Sequence, residues 1–125
     1  MNMKVLVVDD SSTMRRIIGN ALKQSFQGVE VFEAQDGQEG LEVFKEISSG
    51  LTLVLSDWNM PIRDGFQLLT DIVAMDTGVP VIMVTTEAEK SNVVKAILGG
   101  AKNYVTKPFT PETLKNKIKS TLGLS

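Results

Sequence analysis

The sequence has no cysteine and no histidine among its 125 residues. Without cysteine there is no disulfide framework, no thiolate metal site and no thiol nucleophile. Without histidine, the commonest general base and the commonest transition-metal ligand are both missing. Any metal held by side chains of this chain must therefore be held by oxygen. A basic surplus is also lacking, since Lys+Arg 13 against Asp+Glu 15 gives a formal net charge of -2, with a pI near 5.1. A general nucleic-acid binder needs a basic stripe, which this balance does not supply. The longest apolar runs are strand-sized, far short of a membrane span. The one near the start, Val5 to Val8, stops at Asp9 and is too short for a signal peptide. These exclusions predict a cytoplasmic protein. What is present, 42% hydrophobic residues with 10 glycines, suits the core of one domain.

One stretch organises the rest: Leu51 to Gly65, LTLVLSDWNMPIRDG. Gly50 is a turn signal, and Leu51 to Leu55 is short, apolar and aliphatic, which predicts a strand buried on both faces of a parallel sheet. Asp57 falls where that strand runs out into its loop. Pro61 and Asp64-Gly65 then stop the extended segment and restart the chain as a helix. A carboxylate at the carboxyl end of a central parallel strand lies where open α/β sheets place their ligands.

Before this stretch, Lys4 to Val8 predicts a first strand ending at Asp9-Asp10. Ser11, Ser12 and Thr13 are N-cap candidates for a helix on which Met14, Ile17, Ile18, Ala21 and Leu22 fall at helical spacing, with Arg15, Arg16 and Lys23 at other positions. Val29 to Ala34 predicts a second, less buried strand. Asp36 and Glu39 have capping-box spacing and open a helix carrying Leu41, Phe44 and Ile47 inward. After the central strand, Asp64 and Gln67 repeat the box ahead of Phe66, Leu69, Ile72 and Val73. Val79 to Val84 predicts a fourth strand with Pro80 near its start, ended by Thr85 and Thr86. Thr86 and Glu89 form a third box, opening a helix through Val94, Ile97 and Leu98, with Gly99 and Gly100 supplying left-handed angles at its end. Ala101 to Thr106 predicts the fifth strand. Thr110-Pro111-Glu112 starts a last helix with Leu114, Ile118 and Leu122 on its apolar face.

Five strands alternating with five helices predict a doubly wound α/β fold, a parallel sheet with helices on both faces. Right-handed crossovers put every strand's carboxyl end on one edge. Asp9-Asp10, Asp57, Thr85 and Lys107 then converge from positions far apart in the chain. Taken singly, each has a plain structural role: turn and cap residues for the acids, a cap for Thr85, a solvated loop charge for Lys107. Joint placement is what marks them. Clustered carboxylates repel, so at least one should titrate high, and a divalent cation relieves the repulsion. Hard oxygen ligands with few protein carboxylates suit Mg²⁺. Asp57 is then the candidate nucleophile toward phosphorus. Lys107 and the metal neutralise charge on the phosphoryl oxygens, to one of which Thr85 can donate.

The stretches VLVVDDSSTMRR, LSDWNMPIRDG, PVIMVTTEAE and GGAKNYVTKPFT span nearly the whole chain. In them the sequence resembles the receiver domains of two-component response regulators, and above all the single-domain chemotaxis regulators. The resemblance implies a flavodoxin-like (βα)5 fold of strand order 2-1-3-4-5, one receiver domain over residues 1–125 and no output domain. It implies that Asp57 accepts a phosphoryl group from the phosphohistidine of a histidine sensor kinase. Asp10, Asp57 and the backbone carbonyl of Asn59 would hold Mg²⁺, with Asp9 reaching it through water. Lys107 would contact the phosphoryl group, Thr85 would follow it, and Tyr104 would change rotamer in response. Ser11 and Thr86 depart from the usual residues without touching the acceptor set. The Lys107-Pro108 bond is expected to be cis.

These implications predict a phosphorylation-activated switch that catalyses its own phosphorylation and dephosphorylation without being a conventional enzyme. It would be a monomer that signals by protein binding, with neither nucleic acid nor membrane insertion involved. Trp58-Asn59-Met60-Pro61 with Tyr104 point to chemotaxis and flagellar rotation, hence to a flagellar motor switch protein as target and a phosphatase as possible further partner. The face of the fourth helix, fifth strand and fifth helix, with Lys90, Lys102, Tyr104 and Lys117, is the expected output surface. A single-domain phosphorelay intermediate is the alternative within the family. In another class stands a small aspartate-nucleophile phosphatase, which wants a second Asp two positions after the nucleophile, where this chain has Asn59. Neither the Walker spacing nor G-x-G-x-x-G occurs, which disfavours a nucleotide- or flavin-binding module.

Overall fold

Five strands alternate with five helices in a computed structural model that describes residues 2–86 and 90–124. They are β1 (Lys4–Val8), α1 (Ser12–Ser25), β2 (Glu30–Ala34), α2 (Gly37–Ile47), β3 (Leu53–Asp57), α3 (Gly65–Ala74), β4 (Val81–Thr86), α4 (Lys90–Leu98), β5 (Asn103–Lys107) and α5 (Pro111–Leu122). The strands form one parallel sheet in the order β2-β1-β3-β4-β5, as expected. β3 sits in the middle and is buried throughout, while the edge strands β2 and β5 carry the half-exposed residues. Continuous apolar runs belong in the sheet centre because both faces are covered there.

Two cores lie on either side of the sheet. On one face Leu6, Val8, Val54 and Met83 pack against Phe44, Leu68, Leu69 and Ile72 of α2 and α3, and Ala96 of α4. On the other, Val5, Val7, Leu53, Leu55, Ile82 and Val105 pack against Ile18 and Leu22 of α1 and Leu114 and Ile118 of α5. Burying each large aliphatic or aromatic side chain contributes about 1.5–3 kcal/mol.

Four strand boundaries lie later than the apolar runs suggest. β2 starts at Glu30 rather than Val29, whose N–H turns back to the Phe26 carbonyl. β3 is Leu53–Asp57 rather than Leu51–Leu55: a 3-10 turn at Ser48–Gly50 precedes it, and Leu51 donates back to the Ser48 carbonyl while its side chain is buried. β4 starts at Val81 because Pro80 has no N–H to give. β5 starts at Asn103 because Ala101 donates to the Ala96 carbonyl at the end of α4. Apolarity records burial; the hydrogen-bond ladder alone defines the strand.

The helix starts follow their caps. Ser11 accepts from the N–H of Met14, and Thr110 accepts from that of Thr113 ahead of Pro111. Asp64 and Gln67 make both arms of a capping box. Asp36 makes one arm with Glu39, but the Glu39 carboxylate accepts from Gln35 rather than Asp36. Thr86 ends β4, and Glu89 of its expected box lies outside the described residues. Of Gly99 and Gly100, only Gly100 has positive φ, 114°. α4 turns Val94, Ile97 and Leu98 to solvent, Leu98 at 84% exposure, while Ala96 packs inward. Ile17 and Val73 are likewise on the outer sides of their helices.

Candidate functional site

The carboxyl edge of the sheet gathers the predicted residues. Asp57 is the last residue of β3, only 9% exposed, and its Oδ1 accepts from the Trp58 N–H at 2.8 Å. Asp9 follows β1 at 1% exposure. Its Oδ1 accepts from the Ser11 N–H at 2.9 Å, and its own N–H extends the ladder to the Ala34 carbonyl. Lys107 is the last residue of β5 and spans the end of β4 to reach the inner strands. Its Nζ lies 3.3 Å from Asp9 Oδ2 and 3.3 Å from Asp57 Oδ1. Thr85, buried, occupies the intervening strand end. The Lys107–Pro108 peptide is cis, as expected.

Asp10 is exposed and completes the acidic set, with one oxygen from each of Asp9, Asp10 and Asp57 within 4.8 Å of the others. Three carboxylates against one ammonium leave two negative charges (−3 + 1), which fits a hard divalent cation in the chemistry of its donors. Asp57 titrates above its ordinary value. Burial is the main cause, countered by the Lys107 charge, reinforced by Asp9 and countered again by the Trp58 N–H. A raised value in such a set is what mutual repulsion and desolvation produce.

Asn59 stands exposed in the loop two residues past Asp57. Tyr104 is the second residue of β5, opposite Met83, whereas Thr85 pairs with Thr106. Alternation still puts Thr85, Met83 and Tyr104 on one sheet face, with Tyr104 diagonal to Thr85. The half-buried Tyr104 ring carries Lys117 Nζ 4.5 Å from its centroid. Lys102 is exposed, and the side chain of Lys90 lies outside the described residues.

Two residues escaped the sequence patterns. Arg15, on the polar side of α1, donates from Nη1 to the Asp9 carbonyl at 2.6 Å and pairs with Glu33 at 2.9 Å. Gly65 donates to the Trp58 carbonyl, and a Cβ built on it would lie 2.0 Å from the Asp57 carbonyl oxygen. Asp64-Gly65 reads as a turn signal; the close approach to the acceptor's own backbone has no sequence mark.

Strand order, alternation and an acidic pocket closed by a lysine define the class. The chain belongs to the response regulator receiver domain family, whose pattern it matches over residues 5–119. It is 43% identical over 123 residues to a chemotaxis protein CheY homolog of Campylobacter jejuni, covering 97% of this chain and 93% of that one. Among solved structures it resembles chemotaxis protein CheY4 of Vibrio cholerae, at 31% identity and TM-score 0.87, covering 98% of this chain and 100% of that one. It also resembles a CheX–CheY–BeF3–Mg²⁺ complex from Borrelia burgdorferi, at 26% identity and TM-score 0.88, covering 94% of this chain and 87% of that one. Its function is receiver-type signalling of the CheY kind, not that of a conventional enzyme. No helix among the described residues is long and apolar enough to cross a membrane.

Proposed function

We propose that the chain is a phosphorylation-activated switch that accepts a phosphoryl group from a sensor kinase's phosphohistidine onto Asp57. The observation that carries this is the Lys107 ammonium set 3.3 Å from the carboxylates of both Asp9 and Asp57, with no other basic side chain ion-paired to those carboxylates among the described residues. An oxygen of Asp57 forms the new O–P bond as the N–P bond of the donor breaks, and the departing imidazole nitrogen keeps the electron pair. Lys107 neutralises charge on the incoming oxygens, and Thr85 turns its hydroxyl toward one of them. Burial keeps bulk water off Asp57.

Asp10 and Asp57, the carbonyl of Asn59 and, through water, Asp9 would hold Mg²⁺. The bound ion supplies further neutralisation of the phosphoryl oxygens. The Mg²⁺ and beryllofluoride named for the Borrelia burgdorferi relative support this reading. Output passes by protein binding, with chemotaxis control of a flagellar motor switch protein as the pathway, supported by the chemotaxis relatives. Trp58 adjoins the acceptor and is the only tryptophan, so its emission reports on the pocket. It should respond to Mg²⁺ and again to beryllofluoride, and Asp10→Ala should remove the first response. Unchanged Mg²⁺ affinity in Asp10→Ala would place the metal elsewhere.

A further inference from the structure

We propose that Arg15 is a positioning residue for the cation pocket, holding the Asp9–Asp10 peptide in place by bridging it to Glu33 on β2; this rests on the metal reading above. The guanidinium has two partners. Its Nη1 donates to the backbone carbonyl of Asp9 at 2.6 Å, and its Nε donates to Glu33 Oε1 at 2.9 Å. That carbonyl belongs to the planar peptide leading into Asp10, so fixing it fixes the Asp10 N and Cα from which the side chain departs. The Asp9 N–H is already tied to Ala34, the residue after Glu33. Both sides of Asp9 are thus anchored to the end of β2, one directly and one through Arg15.

Asp10 needs this more than the other two acids. Asp9 and Asp57 are buried and gripped by Ser11, Trp58 and Lys107. Asp10 is exposed, at the mouth of the β1–α1 turn. An arginine fork suits two acceptors at once in a way that a lysine ammonium does not. The pair is a weak stability device, because Glu33 is 53% exposed and exposed ion pairs add little. Its placement on the backbone of the acidic turn is better explained by the pocket than by the fold.

Charge and positioning predict opposite signs. Arg15 is a cation beside a cation site, so deleting its charge alone would tighten Mg²⁺ binding. Loss of positioning weakens it. Outer-shell partners of metal ligands typically change affinity 10–100-fold, and Arg15 acts one bond further out, so a loss of about threefold to tenfold is expected. The test is Mg²⁺ titration of the full chain by Trp58 emission in Arg15→Met and Arg15→Lys, with metal-free melting temperatures measured alongside. Arg15 borders a groove of about 280 Å³ between α1 and β2, which leaves room for either replacement. Both variants should bind Mg²⁺ about threefold to tenfold more weakly while melting within a few degrees of the parent. Arg15→Lys keeps the charge, so its loss would isolate the fork. Unchanged or tighter Mg²⁺ binding in both variants overturns the proposal. If Asp10→Ala retains full affinity in the same assay, the metal reading and this inference fall together.

Discussion

Asp57→Asn should make the metal-free protein more stable at neutral pH. The substitution keeps the side-chain volume and an acceptor for the Trp58 N–H, and removes one charge from a buried set. At an effective dielectric of about 20, opposite charges 3.3 Å apart attract by about 5 kcal/mol, and like charges no more than 4.8 Å apart repel by about 3.5 kcal/mol or more. Lys107 and Asp9 therefore leave Asp57 a net attraction of at most about 1.5 kcal/mol, which Asp10 at the same range reduces further. Taking a carboxylate out of water costs several kcal/mol, and burial is the main cause of the raised pKa of Asp57. The balance favours Asn by about 1–3 kcal/mol, or about 3–5 °C in Tm per kcal/mol for a chain of this size.

The pH dependence carries the sign. Because the folded pKa lies above the unfolded 3.8, the folded protein holds a proton that the unfolded chain has lost in the window between them. Wild-type stability attributable to Asp57 is present below that window and declines as pH rises through it. The advantage of the variant should therefore be smallest in acid and reach its plateau once the folded pKa is passed. Mg²⁺ at 100 times its Kd would stabilise the wild type by about 2.7 kcal/mol and erase much of the difference. Urea unfolding with and without EDTA, across pH, measures all of this. A variant less stable than wild type at neutral pH without metal would refute the reasoning.

Gly65→Ala should cost about 1–3 kcal/mol or more, because its Cβ would collide with the Asp57 carbonyl oxygen and the Trp58 Cα; urea midpoints check it, and a neutral result would mean that the loop yields freely. Thr110→Ala should cost about 1 kcal/mol by removing the acceptor for the Thr113 N–H, readable as a lower Tm. Beryllofluoride should shift the amide resonances of Tyr104 and of its neighbours on β5 and α5 as well as those of the pocket. Shifts confined to the acidic edge would rule out Tyr104 as the relay.

The fold class was legible because five apolar runs alternate with five helical patterns, which calls for a parallel sheet covered on both faces; the strand order came from the family resemblance. Boundaries were not legible: Leu51 and Ala101 are buried, yet their N–H groups close a turn and a helix end rather than join the ladder. Spacing likewise does not decide burial in α4, where Val94, Ile97 and Leu98 recur at helical intervals and occupy a solvent face. The site was legible because its acids and lysine stand at strand ends. Arg15 left no trace because it bonds a backbone carbonyl and a residue 18 positions away. The pairing of Tyr104 with Met83, diagonal to Thr85, was not legible, since register follows from pairing that composition does not encode.

The central claim is that Asp57 is the residue that takes phosphate. Incubating the pure protein with acetyl phosphate and Mg²⁺, then trapping and locating the modified residue by mass spectrometry, tests it most directly. A single phosphoryl group on Asp57, dependent on Mg²⁺ and absent from Asp57→Asn, is the predicted result. Undiminished labelling of Asp57→Asn would contradict it.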